Sequence, residues 1–109
     1  MDNRQDSAAT EVPQRLAGCE GTPGQGPFMA IVLDMTDGRV SAAYFQTYGC
    51  PASHACGRFV CEWAIQKNLQ ELAQLTEADV LRGTGPMPLG RDHCPGLAVR
   101  ALHRCTTDQ

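Results

Sequence analysis

The sequence predicts an α+β domain, a small antiparallel β-sheet with helices packed on one face. Three observations carry that reading. A continuous apolar run, Phe28-Met29-Ala30-Ile31-Val32-Leu33, is followed by the turn pair Asp37-Gly38 and then by a segment that alternates with a period of two. After Gly49-Cys50-Pro51 the period changes to that of a helix. From there to the end no strand pattern returns. Strands followed by helices, rather than alternating with them, give a sheet with its helices gathered on one side.

Residues 28–33 have strand length, and their unbroken apolar character suits a strand covered on both faces. Between Arg39 and Tyr48, Val40, Ala42 and Tyr44 alternate with Arg39, Ser41 and Ala43, which predicts a second strand antiparallel to the first. Cys56, Phe59, Val60 and Trp63 fall at i, i+3, i+4 and i+7, one face of a helix from Ala52 to Lys67. Leu69, Leu72, Ala73 and Leu75 give a short second helix. Thr76-Glu77-Ala78-Asp79 has the form of an N-cap with acidic residues in the first turn, ahead of Val80 and Leu81. Gly83 to Gly90, with Pro86 and Pro88, reads as a loop. A last helix is expected from Pro95 to Cys105, with Leu97, Ala98, Ala101, Leu102 and Cys105 on its apolar face. Ahead of all this, residues 1–27 read as a flexible N-terminal segment carrying Cys19. It is polar at its start and rich in breakers at Gly21-Thr22-Pro23-Gly24-Gln25-Gly26-Pro27. The folded domain is expected over residues 28–109.

A chain of 109 residues makes one small domain with a modest core, to which a bound metal would add useful stability. Its net charge of −3 and its lack of any Lys/Arg cluster argue against a nucleic-acid partner. No apolar run approaches a membrane span, and the first residues lack the basic and apolar regions of a signal peptide. The expected setting is cytoplasmic, with no membrane partner. In that setting the six cysteines are expected as thiols, serving as ligands, nucleophiles or core residues. No Cys-x-x-Cys pair is present, so zinc-ribbon and thioredoxin-like readings have no foothold.

Two of the cysteines are each followed by proline, in Tyr48-Gly49-Cys50-Pro51 and Asp92-His93-Cys94-Pro95. Proline suits the first position of a helix, because its fixed φ is helical and its missing N–H would be unpaired there anyway. A cysteine just ahead of it stands at the positive end of the helix dipole, where a thiolate is stabilised and a sulfur can be exposed. Cys50 and Cys94 are therefore read as ligands or reactive thiols of one site assembled in space. A plain capping role would be better served by Ser, Thr, Asp or Asn. His93 adjoins Cys94 and is a candidate for the same ion. Asp92 is either a partner to such a ligand or a solvated turn residue. Cys56 and Cys105 fall on apolar helix faces and read as core residues, though Cys56 lies close enough to Cys50 to face the same site. Cys61 lies on another stripe and reads as packing. His54 and His103 read as surface residues. Cys19, in Ala17-Gly18-Cys19-Glu20-Gly21, suits a movable ligand, a sulfur-carrying thiol or an incidental residue.

With these residues in place, the chain resembles the IscU/NifU-type iron–sulfur cluster scaffold proteins. The stretch Asp37-Gly38-Arg39-Val40-Ser41-Ala42-Ala43-Tyr44-Phe45-Gln46-Thr47-Tyr48-Gly49-Cys50 is similar to that family's hairpin leading into its second ligand cysteine. Glu62-Trp63 with Lys67-Asn68-Leu69 is similar to its central helix and the turn after it. His93-Cys94, then Leu97-Ala98 and Ala101-Leu102, is similar to its third ligand cysteine with the preceding histidine. The resemblance implies a protein that assembles a [2Fe–2S] cluster from iron and sulfur, taking sulfur from a cysteine desulfurase and passing the cluster to acceptor proteins. It implies no turnover of a small-molecule substrate, and zinc as an alternative occupant of the same thiolates. Two departures stand out. The family's first ligand cysteine opens a Cys-Gly-Asp triplet where this chain has Gln25-Gly26-Pro27, and Cys19 lies six residues earlier. The family's proline-containing chaperone-docking segment appears as Met87-Pro88-Leu89-Gly90-Arg91, with one proline and the closing basic residue. Three outcomes follow: a scaffold with Cys50, Cys94, His93 and Cys19 as its donors, a zinc-binding sulfur acceptor, or a scaffold-like interaction module that has lost its site. A homo-oligomer sharing one cluster would make up for a missing ligand.

Overall fold

A computed structural model describes residues 14–107. Three strands form one antiparallel sheet in the order β1 (Gln14–Gly21), β2 (Phe28–Thr36) and β3 (Arg39–Thr47). Four helices follow: α1 (Pro51–Ala64), α2 (Leu69–Leu72), α3 (Glu77–Thr84) and α4 (Cys94–Thr107). The predicted α+β class and the β2–β3 hairpin are both present. Asp37 and Gly38 supply the two left-handed residues (φ 56° and 78°) that a tight hairpin with the native strand twist requires. The β2–β3 register slips at Asp34/Met35. The Ser41 hydroxyl, opposite that slip, donates to the Asp34 carbonyl at 3.0 Å.

The first strand corrects the expectation that residues 14–21 belong to a loose segment. β1 pairs with β2 along its whole length, from Gln14↔Met35 to Gly21↔Phe28. Its inward positions are Leu16, Gly18 and Glu20. Gly18 lies so close to α4 that a Cβ there would stand 2.5 Å from the Ala101 carbonyl oxygen and 2.6 Å from the Cys105 nitrogen. Glu20 bonds Arg100 at 3.1 Å and Arg104 at 2.8 Å on the same helix. The strand is thus fastened by a glycine and an ion pair, neither of which registers as apolar alternation. Of the rest of that segment, residues 22–27 form the loop between β1 and β2, and residues 1–13 lie outside the described residues.

The helices cover one face of the sheet. α4 lies across β1 and β2, while α1 lies across β3 and against α4. Between the layers Met29, Ile31, Leu33, Val40, Val60, Ala98, Ala101 and Leu102 are fully buried. β2 is not covered on both faces, as its apolar run led one to expect. Ala30 and Val32 point away from the helices and are only half-buried. α1 is shorter than predicted, ending at Ala64, because Gln66 turns to φ 71° and its N–H donates to the Val40 carbonyl at 2.8 Å. α2 and α3 each open on a capping box, Asn68 with Glu71 and Thr76 with Asp79, which satisfies otherwise unpaired first-turn amides. Thr76 is the cap its sequence predicts.

Candidate metal and sulfur site

The two Cys-Pro helix starts meet at one end of the helical layer. Cys50 is the N-cap of α1, extended at φ −73° and ψ 128°, with Pro51 at the first helical position as expected. Its own carbonyl is held from both sides. It accepts the His54 N–H at 2.9 Å and the buried Ser53 hydroxyl at 2.8 Å. Ser53 Oγ lies 3.2 Å from Thr47 Oγ1, which donates to the Phe28 carbonyl at 2.6 Å. The end of β3 and the start of α1 are thereby locked to β2, and Cys50 is fixed where they join.

Cys94 sits slightly differently from its predicted place. The Leu97 N–H donates to the His93 carbonyl at 2.9 Å, so the first turn of α4 begins at His93, and Cys94 and Pro95 are inside it. Both thiols are covered rather than exposed, as was expected of them. Cys50 is 6% exposed and Cys94 0%, both belonging to the core cluster against which Tyr48 and Met87 pack. His93 remains at the surface.

Tyr48 ties the two helix starts together. Its phenol oxygen lies 2.9 Å from His93 Nε2 and 4.0 Å from Cys94 Sγ, and Cys94 Sγ lies 3.9 Å from His93 Nε2. The electrostatics separate the two thiols. Burial opposes ionisation of Cys50, but the amides of Ser53 and Ala52, the Arg91 charge and the Tyr48 hydroxyl outweigh it and hold that thiol below the ordinary cysteine value. Cys94 is pushed up, chiefly by burial and further by the neighbouring Cys50, against the lowering effects of Tyr48 and Arg91. Cys50 is therefore the more readily ionised thiol of the pair. Burial, then Cys94 and Cys50, pushes the Tyr48 phenol up to about 12. Cys56 is a third buried thiol behind them, its Sγ 4.0 Å from Met87 Sδ. Burial first, then Cys94 and Cys50, pushes it up to about 11.

Cys19 is not brought to this cluster. It is an outward residue of β1, since its neighbour Gly18 faces α4, and it lines a shallow groove with Ala17, Ala30 and Val32 on the open face of the sheet. Cys105 is core, with its thiol 3.4 Å from the Ile31 carbonyl, and Cys61 is buried, both as predicted. His54 is exposed and meets Phe45 edge-on at 4.9 Å. His103 is half-buried rather than a free surface residue. From the sequence Tyr48 and Arg91 read only as parts of the family-like hairpin and of the Met87–Arg91 segment, not as neighbours of the thiols. A tyrosine two residues before a cysteine and an arginine closing a loop carry no periodic signal.

A tetrahedral ion with Zn–S near 2.3 Å and Zn–N near 2.0–2.1 Å sets those two donor atoms about 3.6 Å apart. Cys94 Sγ and His93 Nε2, at 3.9 Å, stand close to that spacing, and thiolate with imidazole is a chemically apt pair. Among the described residues no three Cys, His, Asp or Glu side chains already converge as an ion-binding group. The donor types fit, then, while the arrangement is one that loading must complete.

The profile of the NifU-like N-terminal domain matches residues 2–108. The chain belongs to the NifU-like N-terminal domain family. Two Archaeoglobus fulgidus proteins, the iron-sulfur cluster assembly scaffold proteins IscU 1 and IscU 2, are each 34% identical to it over 91 residues, 84% of this chain and 60% of theirs. The scaffold protein IscU of Escherichia coli is 30% identical over 93 residues, which cover 84% of this chain and 72% of that protein. The chain thus spans only about 60% of the length of its Archaeoglobus relatives. A solved structure of a hypothetical protein shares the fold, with a TM-score of 0.59 and 20% identity over 90% of this chain and 83% of the other. The family resemblance read from the hairpin and the His-Cys pair is correct, and the α+β architecture is the one expected of it.

Proposed function

We propose that this NifU-like domain is a scaffold or carrier that assembles an iron–sulfur cluster, of the [2Fe–2S] type, on Cys50 and Cys94 with His93. The observation that carries the reading is the meeting of Cys94 and the His93 imidazole at Tyr48, with Cys50 near enough to act electrostatically on Cys94 and to bond Tyr48. The scaffold relatives support it. The cluster is cargo. Iron and sulfide enter, thiolates hold them, and an acceptor protein takes them away. The sulfur donor is a cysteine desulfurase, and the pair suits such a supply, because one of its thiols ionises more readily than the other. The domain turns over no small-molecule substrate of its own and works in the reducing cytoplasm, where its cysteines stay thiols.

Cys19 is the weakest member of the donor set, being on the open face of the sheet. With no cysteine at residues 25–27, the fourth position is left to a donor from another molecule, such as the acceptor or a second copy of this chain. Anaerobic reconstitution with iron and sulfide tests the reading. Cys50→Ser and Cys94→Ser should each abolish the visible cluster spectrum, while Cys19→Ser should leave it unchanged. If both of the first two variants hold a cluster as well as the parent chain does, the reading fails.

A further inference from the structure

Tyr48 touches both a candidate nitrogen donor and a candidate sulfur donor. Its oxygen is 2.9 Å from His93 Nε2 and 4.0 Å from Cys94 Sγ, and those two atoms are 3.9 Å apart. A nitrogen whose lone pair accepts the phenol proton cannot bind an ion with that lone pair. If Nε2 instead carries the proton and donates it to the phenol oxygen, it must lose that proton before it can bind. In either tautomer the bond to Tyr48 and a bond to an ion through Nε2 exclude one another.

We propose that Tyr48 is a positioning residue that keeps His93 in reserve, holding Nε2 in the ion-free chain and releasing it when a metal arrives. The inference rests on Cys50, Cys94 and His93 being the donor set. It has a route of release. Tyr48 is followed by Gly49 at φ 91°, whose missing side chain has no atom within 4 Å around it, so the backbone at this joint has room to turn. The two rings are 6.4 Å apart and tilted by 34°, and no close stack has to be broken as well. What changes is the partner of the phenol.

Zinc is the probe, with affinity read by competition against a chromophoric chelator in the full chain, in Tyr48→Phe, in His93→Ala and in the double variant. Phenylalanine keeps the ring and removes only the hydroxyl. Loss of one competing hydrogen bond should tighten zinc binding about five-fold in Tyr48→Phe, with no gain when the same change is made on the His93→Ala background. Equal or weaker binding by Tyr48→Phe, or a gain that persists without His93, overturns the proposal. A second readout needs no ion. In the ion-free chain the ¹⁵N resonance of His93 Nε2 should move on Tyr48→Phe while those of His54 and His103 stay. An unmoved His93 resonance overturns the proposal too. If the parent chain takes up no zinc at all, the donor set itself is wrong and the gating idea falls with it. Zinc uptake that is indifferent to His93→Ala overturns the gating alone.

Discussion

Gly18→Ala should destabilise the domain by about 2 kcal/mol. The new Cβ would stand 2.5 Å from the Ala101 oxygen, 2.6 Å from the Cys105 nitrogen and 2.8 Å from Arg104 Cβ. The first two are backbone atoms of α4, so no rotamer change relieves the overlap. Either the helix lifts off β1 or the strand end peels away. Restoring ordinary contact requires a shift approaching an ångström, and a gap of that size forfeits a quarter to a half of each affected dispersion contact. Leu97, Ala101, Leu102 and Cys105, on the buried face of α4, are the side chains affected. Overpacking of this kind costs about 1–3 kcal/mol, and the unyielding neighbours place Gly18 at the upper end. The lower entropy of the unfolded alanine chain returns about 0.4–1 kcal/mol. Urea unfolding followed by circular dichroism measures the difference. With a slope of about 1–2 kcal/mol/M, the midpoint should fall by about 1–2 M. Ala17→Ser, one residue along on the exposed side of the same strand, should change stability by less than about 0.5 kcal/mol. A Gly18→Ala midpoint equal to that of the parent chain would refute the packing of β1 beneath α4.

Three further outcomes are expected. Alkylation followed by mass spectrometry should show Cys50 reacting with a half-maximal pH lower than that of Cys94, the first being shifted down and the second up from the ordinary thiol. Cys50→Ser should bring the Cys94 midpoint down, since Cys50 is one of the groups pushing it up. Glu20 is held below the usual carboxylate range, first by the bond from Arg104 and against some desolvation, with Arg100 adding to the lowering. The unfolded chain therefore binds more protons at Glu20 in the acid window, and stability rises with pH there. That contribution is present above the unfolded carboxylate value and is lost as pH falls through the folded one. Glu20→Gln should flatten the acid limb of a stability–pH curve, and a limb of unchanged slope would count against the β1–α4 ion pair. Ser53→Ala should cost about 0.5–1.5 kcal/mol, because the Cys50 carbonyl loses one of its two donors and keeps the His54 N–H, and thermal unfolding would show it.

How far the sequence reveals this molecule depends on what kind of interaction holds each part. The β2–β3 hairpin announces itself through an apolar run, a left-handed turn pair and alternation. The two Cys-Pro starts follow from proline geometry alone. β1 is invisible because the position that packs best against α4 must carry no side chain at all, and Gly18 in a glycine-rich stretch looks like loop. The half-open face of β2 is equally hidden, since Ala30 and Val32 are apolar whether or not anything covers them. Cys50 and Cys94 could be found as a pair from their context, but not their burial, which comes from the packing of the whole core around them. The side of the sheet on which Cys19 lies follows from strand alternation, and that could be read only once β1 was known to be a strand.

The account's central claim is that the two helix-opening thiols carry an iron–sulfur cargo. Its most direct test is the iron, acid-labile sulfide and zinc content of the chain purified without air, with its visible spectrum. The account predicts iron and sulfide in equal amounts with thiolate-to-iron absorption. Colourless protein carrying zinc alone, or no metal at all, would contradict it.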